Sequence, residues 1–254
     1  MKVKIYGYGW VGKAMFTLFP EAIVHDPFLG MVNNKKADIA FVCVPTPLKK
    51  DGTLDTSIVR EVIKNSKEKV IVIRSTVNPG TTDSLAKKYK KNIVMQPEFL
   101  GETPAHPLLD QKSRQWIILG GKKKDTRKVI ELYSTVYNAN TSIREVTALE
   151  AEVIKLSENR AIAFKVMQCQ ELYDVCEKAG LNYYTIRDAV YGDDPRFNLW
   201  WTFIYPKNRG FNSSKCLKKD VPAWCSWAKK VGSDDTVTKT LVEKSNFYEK
   251  DQIN

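Results

Sequence analysis

The chain has 254 residues, of which 43% are hydrophobic and 27% are charged, and this balance is typical of a folded globular protein rather than a disordered one. Its apolar runs are too short for a membrane-spanning helix, and the first residues lack the apolar core of a secretory signal, so we expect a cytoplasmic protein without membrane contact. The formal net charge of +11 favours an anionic partner, such as nucleic acid or a phosphate-bearing ligand.

The first half of the chain alternates short Val- and Ile-rich segments with polar, helix-like stretches. This alternation predicts βαβ units, and therefore an α/β fold with a Rossmann-like, doubly wound, mostly parallel sheet over residues 1–145. The predicted strands are Lys2–Tyr6, Ala22–His25, Ile39–Val44, Val70–Ile73, Asn92–Met95 and Trp116–Leu119.

The second half is predicted to be helical. Residues 147–178 contain no Pro or Gly and are rich in Ala, Glu, Lys and Leu, which predicts one helix about 45 Å long at 1.5 Å per residue. Gly180 then follows as a plausible helix stop. We expect a helical domain over residues 146–254, with this helix as a spine between domains or between the subunits of a homodimer.

A G-x-G-x-x-G motif at residues 7–12 directly follows the first predicted strand. The first glycine permits a tight turn, the second lets the backbone approach a pyrophosphate, and the third lets the next helix pack closely. Asp26, after the second strand, is placed to accept ribose hydroxyl groups, which favours NAD over NADP and requires a short first helix. A plain glycine turn with a loop aspartate is the alternative. The predicted cofactor-binding residues of this motif are Gly7, Gly9, Trp10, Val11, Gly12 and Asp26.

Two more predicted strands end in segments that carry hydroxyl side chains. Residues 44–47 read Val-Pro-Thr-Pro, and residues 74–80 read Arg-Ser-Thr-Val-Asn-Pro-Gly. Because proline cannot continue a central strand ladder, the chain must turn out at the carboxyl edge of the sheet, where doubly wound folds bind ligands. Ordinary turn chemistry is the alternative. The residues expected near the nicotinamide end of the cofactor are Val44, Pro45, Thr46, Ser75 and Thr76.

Two sets of polar side chains are candidates for catalysis. Glu98 and Glu102 are close together after another predicted strand. Lys155 and Asn159 are four residues apart in the predicted long helix, so they share one face and can reach one ligand oxygen. The alternatives are surface carboxylates and an exposed polar stripe.

Cys216 is the candidate nucleophile. It lies beside lysines just before a short predicted helix, where Asp220 suits the N-cap and Pro222 suits the first turn. Such surroundings favour the thiolate, which is the nucleophilic form of cysteine. An inert thiol is the alternative. The other cysteines contain no C-x-x-C pair and the chain has two histidines, so we predict no metal site and reduced thiols.

In order and wording, these segments resemble the UDP-glucose dehydrogenase family, which includes UDP-glucose, UDP-N-acetylmannosamine and GDP-mannose 6-dehydrogenases. The resemblance extends from Lys2 to about Asp220, and the joint occurrence of its motifs is far more specific than the glycine motif alone. It implies an NAD-dependent, four-electron oxidation of a nucleotide-sugar C6 hydroxyl to a carboxylate. The matching motifs are residues 7–12, 44–47, 75–77, 97–102, 151–159 and 210–220.

The resemblance also implies roles for individual residues. Cys216 would attack the aldehyde that the first oxidation produces, and water would hydrolyse the thioester that the second oxidation leaves. Lys155 and Asn159 would stabilise the oxyanions. The other implied roles are the catalytic water for Asp220 and Thr76, thioester hydrolysis for Glu98, the cofactor for Glu102, the partner subunit's substrate for Arg196, and substrate contact for Glu98, Phe99 and Leu100.

The sequence departs from the family in three places. The family ends in a second nucleotide-binding α/β domain that does not fit in the residues after Asp220, so we expect a truncated form. The loop at residues 211–215 lacks the family's glycine pair, and Lys218 replaces its proline. The segment Leu199–Pro206 is unusually aromatic and is predicted either to pack on the spine helix or to form a partner surface. The identity of the sugar therefore stays open.

Two other functions remain as alternatives. The related two-electron 6-phosphogluconate and hydroxyacid dehydrogenases also use a helical Lys and Asn four residues apart, but they lack the cysteine. A catalytically impaired NAD-binding or scaffolding relative would share the fold. We find no helix-turn-helix, zinc or RNP-like pattern, which disfavours nucleic acid as the partner. The phosphates of a dinucleotide or a nucleotide sugar explain the positive charge better.

Overall fold

The computed structural model describes residues 1–101, 111–112 and 115–251, so the prediction for Glu102 lies outside the described residues. The chain divides into two compact units. Unit 1 comprises Met1–Lys49 and Leu54–Lys155, and unit 2 comprises Lys50–Thr53 and Leu156–Asn254.

Unit 1 is built on a seven-stranded sheet in the order β2-β1-β3-β4-β5-β6-β7. Every neighbouring pair is parallel except β5 and β6, which confirms the prediction of a mostly parallel, doubly wound α/β fold. Strand β7 was not predicted because it contains only two apolar residues. The strands are β1 (Val3–Tyr6), β2 (Ile23–His25), β3 (Ile39–Val42), β4 (Val70–Ile73), β5 (Ile93–Met95), β6 (Trp116–Gly120) and β7 (Ser142–Val146).

The central strands form the core of unit 1. All four residues of β3 and of β4 are buried, because helices cover both faces of a parallel sheet. Four helices of unit 1 are α1 (Trp10–Leu18), α2 (Ser57–Asn65), α3 (Thr81–Tyr89) and α4 (Lys123–Tyr133). The nine residues of α1 agree with the short first helix that the position of Asp26 requires.

The connection from β2 to β3 contains a 3-10 turn, Pro27–Leu29, in place of a full helix. Strand β2 lies at the edge of the sheet, and the direction of the strand order reverses between β1 and β3. In doubly wound folds, the crevice outside the carboxyl ends of the strands at such a reversal is where ligands bind. The loops after β1 and β3 are therefore the natural walls of a cofactor site.

Helix α5 (Ala148–Ala179) has 32 residues and begins and ends one residue later than predicted. It ends before Gly180, whose φ of +68° belongs to the left-handed region, as the stop signal predicts. Unit 2 contains most of α5 together with α6 (Tyr183–Arg187), a π-helical turn, α7 (Leu217–Lys230) and α8 (Thr236–Asp251). None of the helices in the described ranges is both long and apolar enough to cross a membrane.

Candidate active site

The glycine motif is dictated by close backbone packing at two of its three positions. Gly7 has a φ of +89°, and a Cβ atom there would lie 2.5 Å from the carbonyl oxygen of Cys43. A Cβ at Gly12 would lie 2.0 Å from the carbonyl oxygen of Gly7. By contrast, a Cβ at Gly9 meets nothing within 4 Å. Gly9 is the N-cap of α1, so the open space lies at the positive end of a helix that has no side-chain cap.

Asp26 connects the end of β2 to the glycine motif. Its Oδ2 accepts a hydrogen bond from the Tyr8 backbone N–H (2.7 Å), and its Oδ1 accepts from the N–H groups of Phe28 (3.1 Å) and Leu29 (3.3 Å). Each carboxylate oxygen can accept more than one hydrogen bond, so ribose hydroxyl groups can still bind there. The open Gly9 position, the uncapped helix and this carboxylate fit a dinucleotide such as NAD.

Two of the hydroxyl groups predicted near the nicotinamide, those of Thr46 and Ser75, hydrogen-bond to the protein backbone. The Val44 N–H donates to Ser75 Oγ (3.0 Å), and Ser75 Oγ donates to the Val44 carbonyl (2.7 Å). Thr46 Oγ1 donates to the Thr76 carbonyl (2.7 Å). The loops after β3 and β4 are therefore held together at the carboxyl edge of the sheet, with Pro45 between two of the linked residues.

At the carboxyl end of β4 lies a buried ionic cluster in which Glu98 was predicted as a site residue, whereas its partners Arg74 and Gln111 were not. Arg74 directly follows β4, is 1% exposed, and forms an ion pair with Glu98. Gln111 is also 1% exposed and contacts both side chains, with 3.3 Å from Arg74 Nη2 to Gln111 Oε1 and 3.1 Å from Gln111 Nε2 to Glu98 Oε1. The sequence did contain one signal for this cluster, an arginine directly after a wholly apolar strand.

Lys155 of unit 1 rests on an aromatic ring next to this cluster. Its Nζ lies 5.0 Å from the centroid of the Phe99 ring, and Phe99 packs against Trp116 with 4.7 Å between ring centroids. Lys155 and Phe99 are each 5% exposed, and Leu100 is half-buried. A nearly buried ammonium on a fixed aromatic face can stabilise a negative oxygen strongly.

Unit 2 brings Asn159 and Asp220 together. The Asn159 Nδ2 donates to Asp220 Oδ2 (2.5 Å), and the Lys219 Nζ donates to Asp220 Oδ1 (2.6 Å). Asp220 is fully buried, and its backbone N–H donates to the carbonyl oxygen of Cys216 (2.9 Å). The buried carboxylate and the amide predicted to bind an oxyanion are therefore hydrogen-bonded to each other, and the backbone of the candidate nucleophile lies one helical turn before that carboxylate.

The predicted start of α7 is wrong by several residues. The helix begins at Leu217, so Asp220 lies in its first turn and Pro222 lies inside the helix. Ser214 Oγ accepts a hydrogen bond from the Leu217 N–H (3.1 Å), which supports the earlier start, while the Asp220 carboxylate is taken by its two side-chain donors. Cys216 becomes the N-cap residue, at the positive end of the helix.

The five cysteines differ in their surroundings. Cys216 is half-buried, whereas Cys169, Cys176 and Cys225 are buried. Burial raises the pKa of Cys225 to about 11, and it raises the pKa of Cys43 to about 12. These two thiols consequently stay protonated at neutral pH.

The backbone just before Cys216 is clamped by α5 and α8. The Gly210 N–H donates to Gln170 Oε1 (2.6 Å), and Gln170 Nε2 donates to the Gly210 carbonyl (2.9 Å). The Phe211 N–H donates to Ser245 Oγ (2.9 Å). Gln170 and Ser245 were not predicted from the sequence, because nothing local distinguishes them from other polar helix residues.

Arg196 and the aromatic segment lie at the surface of unit 2. The Arg196 side chain is 81% exposed and forms an ion pair with Asp194 (2.6 Å). In the aromatic segment, Ile204 is buried in a cluster with cysteines and tyrosines of unit 2, whereas Phe203 and Tyr205 are exposed. The segment therefore both packs inward and presents aromatic rings to the outside.

The glycine loop, the short α1 and the strand order define a protein with a dinucleotide-binding α/β fold. Comparison with known families agrees. The NAD binding domain of the UDP-glucose/GDP-mannose dehydrogenase family matches residues 30–140, and its central domain matches residues 149–247. The chain belongs to this family, as its motifs predict. The first match begins after Asp26, so the assignment of the glycine loop depends on the geometry above.

Individual relatives show the same pattern. UDP-glucose 6-dehydrogenase of Rickettsia typhi is 27% identical over 84% of this chain and 50% of its own length. An uncharacterized protein of Methanocaldococcus jannaschii is 34% identical over 64% of this chain and 19% of its own length. The chain spans about half the length of the curated UDP-glucose 6-dehydrogenases that it matches.

Solved structures share the fold. A UDP-glucose dehydrogenase of Pyrobaculum islandicum aligns with a TM-score of 0.80 at 21% identity, over 97% of this chain and 68% of that chain. A 3-hydroxyisobutyrate dehydrogenase of Mycobacterium tuberculosis aligns with a TM-score of 0.72 at 14% identity, over 99% of this chain and 94% of that chain.

Proposed function

We propose that this chain oxidises the C6 hydroxyl of a nucleotide sugar to a carboxylate with NAD as the oxidant. The observation that supports it most directly is the position of Cys216 at the N-terminus of α7, one turn before the Asp220 carboxylate that binds Asn159, because the two-electron dehydrogenases that resemble this fold lack the cysteine. NAD supplies the acceptor for two electrons in each of the two oxidation steps.

The residues around the glycine motif are proposed to hold the cofactor. The N–H groups at the start of α1 would bind the pyrophosphate above Gly9, which has no side chain to obstruct it. Asp26 would bind the adenosine ribose, and its negative charge would repel the additional phosphate of NADP. Trp10, which is 56% exposed at the same helix end, would cover the cofactor.

Cys216 is proposed to attack the aldehyde carbon and to carry the sugar as a covalent adduct. A thiolate at the N-terminus of α7 divides one four-electron oxidation into two easier steps that share this adduct. The Lys155 ammonium and the Asn159 amide would stabilise the oxyanion at each tetrahedral stage. Asp220, with Thr76 and Glu98, is assigned to the water that releases the acid.

Substrate binding and assembly complete the proposal. Phe99 and Leu100 would contact the sugar, and the exposed Arg196 would reach the substrate bound by a second copy of the chain. Two copies would join through α5. These assignments follow from the residues that match the family motifs.

The decisive experiment measures NADH and carboxylate formation with a panel of nucleotide sugars. The wild-type chain is expected to form two NADH per sugar. Cys216→Ala should lower the rate at least about a thousandfold, because the covalent route is lost. Cys225→Ala is the matched control, since it removes a buried thiol from the same helix, and it should leave the rate within about twofold. Absence of NADH with every sugar, or full activity of Cys216→Ala, would contradict the proposal.

A two-electron dehydrogenase is the second candidate. The alignment that covers 94% of the 3-hydroxyisobutyrate dehydrogenase chain favours it. It requires one NADH per substrate and no dependence on Cys216. The stoichiometry of NADH in the same experiment therefore separates the two reactions.

A further inference from the structure

The buried cluster of Arg74, Glu98 and Gln111 forms a closed triangle. Each side chain contacts the other two, and all three are at most 8% exposed. Arg74 is anchored to the sheet by its backbone N–H, which donates to the Val42 carbonyl (2.9 Å). An ion pair this deep is costly to desolvate, so its value lies in the geometry that it imposes on its neighbours.

Glu98 transmits this geometry to the next two residues. Its Oε1 accepts hydrogen bonds from the backbone N–H groups of Phe99 (2.8 Å) and Leu100 (2.6 Å), in addition to the bond from Gln111. Its Oε2 accepts from Arg74. The carboxylate therefore accepts at least four donors and acts as the centre around which the chain turns at residues 98–100.

The Phe99–Leu100 turn supports the side chain of Lys155. The Phe99 ring lies under the Lys155 ammonium at 5.0 Å and is packed on its other neighbour, Trp116, at 4.7 Å. Displacement of the Phe99 backbone would move the ring, and the ammonium would lose its fixed place. A charge that stabilises an oxyanion acts well only if it is held in position before the reaction.

We propose that Arg74 and Gln111 are positioning residues that act through Glu98: they hold the Phe99–Leu100 turn and, through it, the Lys155 ammonium. The catalytic part of this inference rests on the proposed function, which assigns Lys155 to the oxyanion. The chain of contacts itself, from Arg74 to Lys155, lies entirely within unit 1.

The test compares Arg74→Met, which removes the charge at similar length, with Arg74→Lys, which retains it. The first measurement is amide hydrogen exchange at Phe99 and Leu100. Exchange should be about tenfold faster in Arg74→Met, because the carboxylate loses its charged partner, and should return towards the wild-type rate in Arg74→Lys. The second is competitive acylation of Lys155 by acetic anhydride, read by mass spectrometry, which should rise about threefold in Arg74→Met and return towards the wild-type value in Arg74→Lys.

Lys4→Met is the matched control. Lys4 is the cation of another buried ion pair in unit 1, with Glu68 at 3.8 Å and side chains 5% and 1% exposed. Glu68 precedes β4, so it lies at the strand edge opposite Arg74. Gln111→Leu is a second variant that keeps Arg74, and it should accelerate exchange at Phe99 and Leu100 about threefold. Gln111→Leu provides the test of the proposal if Arg74→Met does not fold.

With an active enzyme, Arg74→Met should lower kcat about tenfold and leave the KM for NAD within about twofold, and Arg74→Lys should recover part of the loss. The proposal is overturned if folded Arg74→Met and Gln111→Leu keep the wild-type rates of amide exchange at Phe99 and Leu100 and of Lys155 acylation. It is also overturned if Lys4→Met raises these rates as much as Arg74→Met does. Inactivity of the wild-type chain would count against the proposed function alone, since exchange and acylation need no turnover.

Discussion

The three glycines of the motif at residues 7–12 have different surroundings. Gly7 and Gly12 are required by neighbouring backbone atoms, whereas Gly9 has free space around its Cα. The three glycines look alike in the sequence, but they have two different structural functions. Two of them permit the turn to form, and the third leaves room for a ligand.

Alanine substitution separates these two purposes. Gly12→Ala should lower the free energy of unfolding by about 2 kcal/mol or more, because its Cβ would lie 2.0 Å from a backbone oxygen that cannot move aside. Gly9→Ala, the matched control, should change it by less than about 0.5 kcal/mol. Urea unfolding of both variants measures the difference, and equal losses would show that the motif is not packed as described.

Gly9→Ala has an expected effect of its own on the cofactor. A methyl group in the open space should weaken NAD binding about tenfold, because the backbone can no longer approach a pyrophosphate closely. Calorimetric titration with NAD measures this effect in a variant whose stability is unchanged. Undiminished affinity would place the dinucleotide elsewhere.

Helix α5 is connected to α3 by one buried carboxylate. Glu152 is 1% exposed, and it accepts hydrogen bonds from the Gly80 N–H (2.5 Å), the Thr82 N–H (2.7 Å) and the Thr82 hydroxyl (2.6 Å). It therefore caps α3 from another helix, in place of a cap from its own sequence. Burial raises the pKa of Glu152 from 4.5 to about 7, and nearby Asp83 acts in the same direction.

This raised pKa predicts a pH dependence of stability. Between pH 4.5 and 7 the folded chain binds more protons at Glu152 than the unfolded chain, so the free energy of unfolding should fall as the pH rises. The contribution is at most about 3 kcal/mol, from the size of the pKa difference. Glu152→Gln should flatten the profile measured by urea unfolding from pH 5 to 8.

Glu150→Gln is the matched control for this profile. Glu150 is exposed two residues away, and hydrogen bonds from Thr147 lower its pKa, so its stabilising contribution is fully present above pH 4.5 and is lost only as the pH falls below that value. The profile from pH 5 to 8 should be unchanged in this variant. A flat wild-type profile would show that Glu152 remains ionised throughout.

At the scale of the whole molecule, α5 exposes apolar side chains that suit a contact with a second copy. Val175 is 55% exposed near the carboxyl end of this helix. Light scattering should give about twice the chain mass of 29.0 kDa. Val175→Glu should shift the population towards single chains, whereas Glu177→Gln on the same helix should not. A single-chain mass for the wild type at all concentrations would contradict the dimer.

Several features of this protein follow from its sequence alone. The buried strands, the short α1 and the 32-residue α5 are encoded locally, because strand and helix periods and their glycine stops are properties of neighbouring residues. Family membership was likewise readable, since each motif is a contiguous segment of a few residues. The start of α7 was not, because the hydroxyl of Ser214 and the side-chain partners of Asp220 shifted it.

Tertiary structure decided the contacts that tune the site. Arg74 and Glu98 are 24 residues apart, Asn159 and Asp220 are 61 apart, and Glu152 and Thr82 are 70 apart. Such pairs depend on how one helix or strand packs against another. The periodic pattern of residues within a single helix or strand carries no information about this packing. The sequence therefore determined which chemical groups are present, whereas packing determined which of them are already bound to one another, because a buried polar group takes whichever partner the fold brings within reach.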